Sequence, residues 1–202
     1  MVDEVSEAPA IKGRRDLVSA TAIRILARDG VRALTHRAVD AAAGLPPGST
    51  SHVARTREAL LTLVVDTLSE RTLTDSDDTA ASLARLADRG EFSIDELADL
   101  LTALVESLAS RRDDMRARYA LILEVHDSPA LHAKLTTESE VHRTARAIVS
   151  SALDLAGLPT SSSDVDAVIR LADSLTFHRT AVDTDAPIRP VLAAFLKGLS
   201  ES

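Results

Sequence analysis

The sequence contains no cysteine, which excludes disulfides, thiolate catalysis and cysteine-ligated zinc in one observation. Aromatic residues are almost as scarce, being limited to Phe92, Tyr119, Phe177 and Phe195. The hydrophobic fraction of 45% is therefore made almost wholly of Ala, Leu and Val. Ala and Leu lose little side-chain entropy in a helix, whereas strands prefer aromatic and branched residues, so an all-α chain is expected. Long apolar runs are missing too: the stretch 60–65 is interrupted by Thr62 and falls far short of the roughly 20 residues that span a bilayer. Residues 1–9 are polar and acidic rather than basic then apolar, so no secretory leader is visible and a cytoplasmic protein without membrane contact is expected.

Enzyme signatures are also lacking. There is no glycine-rich phosphate loop, no serine elbow and no paired-carboxylate pattern, and Glu124 and His126 stand two apart on a predicted helix, where they do not share a face. His126, His132, His142 and His178 do not have ligand spacing; His132 and His142 lie on different faces of one predicted helix. The chain is expected to be no enzyme and to need neither metal nor cofactor.

What is present is charge asymmetry. The net charge is −8, yet residues 10–60 hold nine Arg or Lys against four acids, while residues 61–202 hold fourteen against twenty-four. A basic head on an acidic body suits a protein that meets phosphates at one end only.

Apolar spacing predicts a first helix over 14–29, ended by Gly30, and a second over about two turns, capped by Thr35 and stopped by Gly44. A third short helix follows over 47–54, its prolines tolerated in a first turn. Thr56 caps a fourth that runs toward Thr74, with Asp75-Ser76-Asp77-Asp78 expected to break it as a polar linker. Ser93 and Glu96 form a predicted capping box for a helix through Leu108. Helices are then expected over 112–126, over 130–156 without interruption, and over 164–182 and 187–199, with residues 1–10 a disordered arm.

The segment 34–50 (LTHRAVDAAAGLPPGST), followed by Arg55-Thr56-Arg57-Glu58-Ala59-Leu60-Leu61, resembles the helix-turn-helix of the tetracycline-repressor (TetR) family. The resemblance implies a three-helix DNA-binding head, a helical ligand-binding and dimerisation body, and pairing of two copies through the last two helices. It places the boundary between the two domains, 10–55 and 56–202. The sequence departs from the family at Pro46, where a serine usually caps the reading helix, and at 51–54, where the usual aromatic is absent. Loss of such a cap costs about 1 kcal/mol.

A short helix of this kind fits a major groove roughly 12 Å wide. The expected DNA-binding residues are Thr35 and Arg37 at the start of the second helix, Pro47, Ser49, Thr50, Ser51 and His52 on the third, and Arg55 and Arg57 flanking the fourth. An effector pocket is expected among Leu104, Met115, Tyr119, Ile122, Leu123 and Phe177; with so few aromatics it suits an aliphatic or small ligand. A dimer interface is expected along Val168, Leu171, Leu175, Leu192, Phe195 and Leu199. The function these features imply is a ligand-responsive regulator, a repressor on a near-palindromic double-stranded operator; the alternative is a helical ligand-binding or protein-interaction module that has lost DNA binding.

Overall fold

The computed structural model describes residues 13–201 apart from Glu91 and His126. The arm expected over 1–10 and the end of the helix expected at His126 lie outside these residues. Among the described residues the chain is helical without strands: α1 Arg14–Asp29, a 3-10 turn Val31–Ala33, α2 His36–Ala42, α3 Ser49–Val53, α4 Arg57–Ala87, α5 Ile94–Ser110, α6 Arg112–Glu124, α7 Pro129–Leu135, α8 Glu140–Leu155, α9 Ser162–Ala181 and α10 Arg189–Ser200.

Hydroxyl caps fix most of these starts. Thr35 accepts from the Ala38 N–H, Thr56 from Ala59, Ser139 from His142 and Ser161 from Asp164. Ser93 and Glu96 form the reciprocal capping box ahead of α5.

Two expectations are corrected. The linker expected at 75–78 is helical, and α4 runs for 31 residues, about 46 Å at 1.5 Å per residue. No glycine or proline interrupts it, and its polar side chains find partners. Asp75 pairs with Arg111 and accepts from Ser107, while Ser76 and Thr79 donate to carbonyls one turn back. Conversely, the helix expected over 130–156 is two helices, because Ser139 caps a new one and Thr136 leaves the helical conformation.

The side chains collect into two cores. The first joins Val18, Leu26, Leu34 and Val39 of the amino-terminal helices and Leu60 and Val64 of α4 to Ala117 and Leu121 of α6 and Leu131 and Leu135 of α7. The second is built from α5, α8, α9 and α10 around Leu97, Val105, Leu153, Val168, Leu192 and Leu196. α4 contributes to both, through Leu60 at one end and Leu83 at the other. The amino-terminal helices thus close their core on α6, with α1 lying along it.

Candidate nucleic-acid interface and effector cavity

α3 has five residues and no side-chain cap of its own. So short a helix has few internal hydrogen bonds and depends on outside support. α2 supplies it at both ends. The buried Asp40 carboxylate accepts from the Gly48 N–H at 2.7 Å, from the Thr50 N–H at 2.7 Å and from the Thr50 hydroxyl at 2.6 Å. The cap that Pro46 cannot give therefore arrives from the preceding helix. The Thr50 hydroxyl first, then the Thr50 and Gly48 N–H groups, hold the Asp40 carboxyl below the usual carboxylate range, against the opposing cost of burial. Gly48 sits at φ +91°, a left-handed conformation that a side chain would strain, and so delivers its N–H to Asp40. At the other end of α3, His36 Nε2 donates to the Ala54 carbonyl at 2.7 Å. His36 and Asp40 are four apart and share one face of α2.

This arrangement sorts the residues expected to meet DNA. Thr35, Arg37, Pro47, Ser51, His52 and Arg55 are exposed. Ser49 and Thr50 are corrections as contact residues: both are buried, Thr50 completely, because their side chains serve the junction with α2. Arg57 is exposed as a residue, but its guanidinium donates to the Val31 carbonyl at 2.7 Å and to the Leu34 carbonyl. It clamps the turn between α1 and α2 to the start of α4 and so is engaged within the head. Thr35 has its oxygen on the Ala38 N–H. Ser51 and His52, flanked by Arg37 and Arg55, form the open face. Asp40 was missed from sequence; its signal was a carboxylate four residues after His36 on the inward side of a short helix.

The largest described cavity lies in the body between α4, α5, α6, α8 and α9, with about 700 Å³ of empty space including its mouth. Leu104 and Met115 line it. The other residues expected there are displaced. Tyr119 and Phe177 meet edge to face at 5.0 Å on the α6–α9 seam, Phe177 being exposed. Ile122 packs on the first core instead, and Leu123 points outward at 77% exposure. These four fall on other faces of α6 and α9 because a pocket samples one stripe of each helix. Burial pushes the Tyr119 phenol up to about 12, with the nearby Arg118 pulling the other way without hydrogen-bond geometry.

At its start α6 is fastened by a buried ionic cluster. Asp114 accepts from Arg71 of α4 at 2.7 Å and from Arg111 at 3.1 Å, and Arg111 also pairs with Asp75. Met115 and Arg118 of α6 face the cavity while Ala117 and Leu121 sit in the core shared with α1.

The expected dimer stripe also divides. Val168 and Leu192 are corrections, since both are buried in this chain's own second core and cannot reach another copy. Leu171, Leu175, Phe195 and Leu199 are half-buried at the edge of that core, and Val182 and Val191 beside them are exposed. Among the described residues no group of three or more His, Asp or Glu is placed to hold a metal, and no helix is long and apolar enough to cross a membrane.

Comparison with known proteins agrees with this architecture. No curated protein matches the sequence. A transcriptional regulator from Rhodococcus sp. Rha1 superposes with a TM-score of 0.72 at 19% identity, over 94% of this chain and 97% of its own. A TetR-family member from Streptomyces coelicolor A3 gives 0.67 at 23%, over 91% and 99%. The multidrug-binding protein EbrR complexed with ethidium gives 0.65 at 22%, over 94% and 99%. The family described as "Tetracyclin repressor-like, C-terminal domain" matches residues 93–202, more than half of the sequence. With an amino-terminal helix-turn-helix in front of that domain, the chain belongs to the TetR family of transcriptional regulators.

Proposed function

We propose that this chain is an effector-responsive repressor that binds a near-palindromic DNA operator as a homodimer in the cytoplasm. The carrying observation is α3: a five-residue helix, held at both ends by α2, whose open face presents Ser51 and His52 between Arg37 and Arg55. Backbone and arginine contacts would position the head on phosphates, and the open face of α3 would read base edges.

Two heads must meet half-sites about 34 Å apart or a multiple of it, so their separation is the regulated quantity. α6 is the element that cavity and head share. A ligand that fits the cavity better when α6 is displaced would move α1 with it, lowering DNA affinity by its differential binding free energy and no more. The second copy would be met by Leu171, Leu175, Phe195 and Leu199 together with the exposed Val191.

The experiment is selection of genomic fragments bound by the purified chain, followed by titration of the selected site at increasing salt. Specific binding that weakens steeply with salt is the expected result. Absence of any selected sequence would leave the alternative, a helical ligand-binding module without DNA recognition.

A further inference from the structure

We propose that the ligand of the α4–α9 cavity is an aliphatic monocarboxylate whose carboxylate sits on Arg118; the inference rests on reading this cavity as the effector site. Most of the wall is aliphatic, through Leu101, Leu104, Val105, Met115, Val149 and Ile169. No aromatic residue is among the described residues that line it. A flat ring therefore finds nothing to stack on, whereas a flexible hydrocarbon chain can fill the space.

The polar groups of the wall are unequal. Thr72 donates its hydroxyl proton to the Leu68 carbonyl at 3.0 Å, Ser76 to Thr72 at 3.0 Å and Thr176 to Ala172 at 2.8 Å. With their protons engaged one turn back, these hydroxyls offer a ligand only lone pairs. Donors come instead from Arg118, whose guanidinium carries five N–H groups in a fork matched to a carboxylate. Its present contacts are long: 3.4 Å to the Leu135 carbonyl and 3.8 Å to the Asp173 carboxylate.

Asp173 also borders the cavity and would favour a cation. Its side chain is 56% exposed, however, against 24% for Arg118, so water screens the negative charge far more than the positive one. Arg118 further borders a smaller pocket on its other side, lined by Lys134, which is itself paired with Asp66 at 2.7 Å. The less screened charge at the polar end of the cavity is therefore positive, and the ligand that matches an aliphatic wall ending in a guanidinium is an amphipathic anion.

The test is calorimetric titration of the full chain, without DNA, with decanoate, decanol and decyltrimethylammonium, each below its micelle concentration. Decanoate is expected to bind about ten-fold tighter than decanol, with the cation weakest. In Arg118→Gln the advantage of decanoate over decanol should vanish while decanol binding persists; Ala145→Leu, which fills the cavity, should weaken both. The proposal is overturned if decanol matches decanoate, if the cation binds tightest, if none of the three binds, or if Arg118→Gln keeps the preference. Should Arg118→Gln lose its helical circular dichroism, the ranking of the three compounds on the unaltered chain decides alone. A failure of this ranking leaves DNA binding untouched, and a failure to bind DNA leaves the ranking measurable.

Discussion

Replacing Asp40 by Ala should damage DNA binding without removing a DNA contact. Asp40 is buried, and its carboxylate receives two backbone N–H groups and one hydroxyl from the start of α3. Loss of an ordinary N-cap costs about 1 kcal/mol, and a hydrogen bond to a charged group contributes about 1.5–3 kcal/mol. Ala leaves all three donors without the acceptor, although the Gly48 N–H, near the surface, can recover a water. A cost of about 2–3 kcal/mol follows, falling first on α3, which has little stability of its own. If α3 must be ordered to bind, operator affinity falls by up to about 30–150-fold at 1.4 kcal/mol per ten-fold. Fluorescence anisotropy with a labelled operator measures this, and denaturant unfolding measures the stability. Because Asp40 positions rather than touches DNA, the slope of log affinity against log salt should stay unchanged.

The pH dependence has a definite sign. The folded Asp40 carboxyl titrates below its unfolded value of about 3.9, so its stabilisation is complete above that value and is lost as pH falls through the folded pKa. The stability difference between the native chain and Asp40→Ala should therefore narrow only in strong acid. An Asp40→Ala chain of unchanged affinity and stability would refute the reasoning. So would tighter binding, since it would mean that the carboxylate acts mainly by repelling phosphate.

The basic residues should separate into two classes: Arg37→Ala and Arg55→Ala each lower the salt slope by about one with little change in stability, whereas Arg57→Ala loses about 1–2 kcal/mol in thermal unfolding because the Val31 and Leu34 carbonyls lose its guanidinium. Leu121→Ala, at 0% exposure in the core joining α6 to the head, should cost about 2–5 kcal/mol by chemical denaturation. Phe195→Glu, on the half-buried edge of α10, should yield a monomer in sedimentation while circular dichroism stays helical. A Phe195→Glu chain that stays dimeric would move the proposed interface elsewhere.

How far this molecule could be read from its sequence depended on how local each determinant is. Gly30, Thr35, Thr56 and the Ser93–Glu96 pair act within one helical turn, and they mark the ends of α1, α2, α4 and α5 where the spacing predicts them. Asp75 is different. Its acceptor groups look like a linker until Arg111 and Ser107, thirty-six and thirty-two residues further on, are brought against it. The break before α8 was legible in principle from Ser139, but an uninterrupted apolar pattern overrode it. In the head, counting exposed polar residues could not tell that Thr50 faces inward, since that depends on Asp40 from another helix. In α9 and α10 the stripe predicts burial but not by which chain; Val168 and Leu192 are covered by this chain's own α5, and only the flank of the stripe is left for a partner.

The shared core has a consequence for how regulation can work. Head and body do not meet across a linker: Leu26 and Leu34 of the amino-terminal helices pack in one cluster with Ala117 and Leu121, and Met115 and Arg118 of the same helix border the cavity. Interiors packed this densely switch between discrete arrangements rather than deforming gradually. The start of α6 is held by Asp114 between Arg71 and Arg111, a buried cluster whose disruption would leave a charge uncompensated, so displacement is easier at the Leu121 end than at the Arg111 end. α6 is then expected to swing about its amino terminus, and the farther end, which carries α1, moves most. A ligand must favour the displaced arrangement by about 5.5 kcal/mol to turn a 1:99 population into 99:1. One carboxylate–guanidinium contact falls short of that, so the hydrocarbon chain along the wall must also distinguish the two arrangements, and shortening it should weaken release of DNA more steeply than it weakens binding.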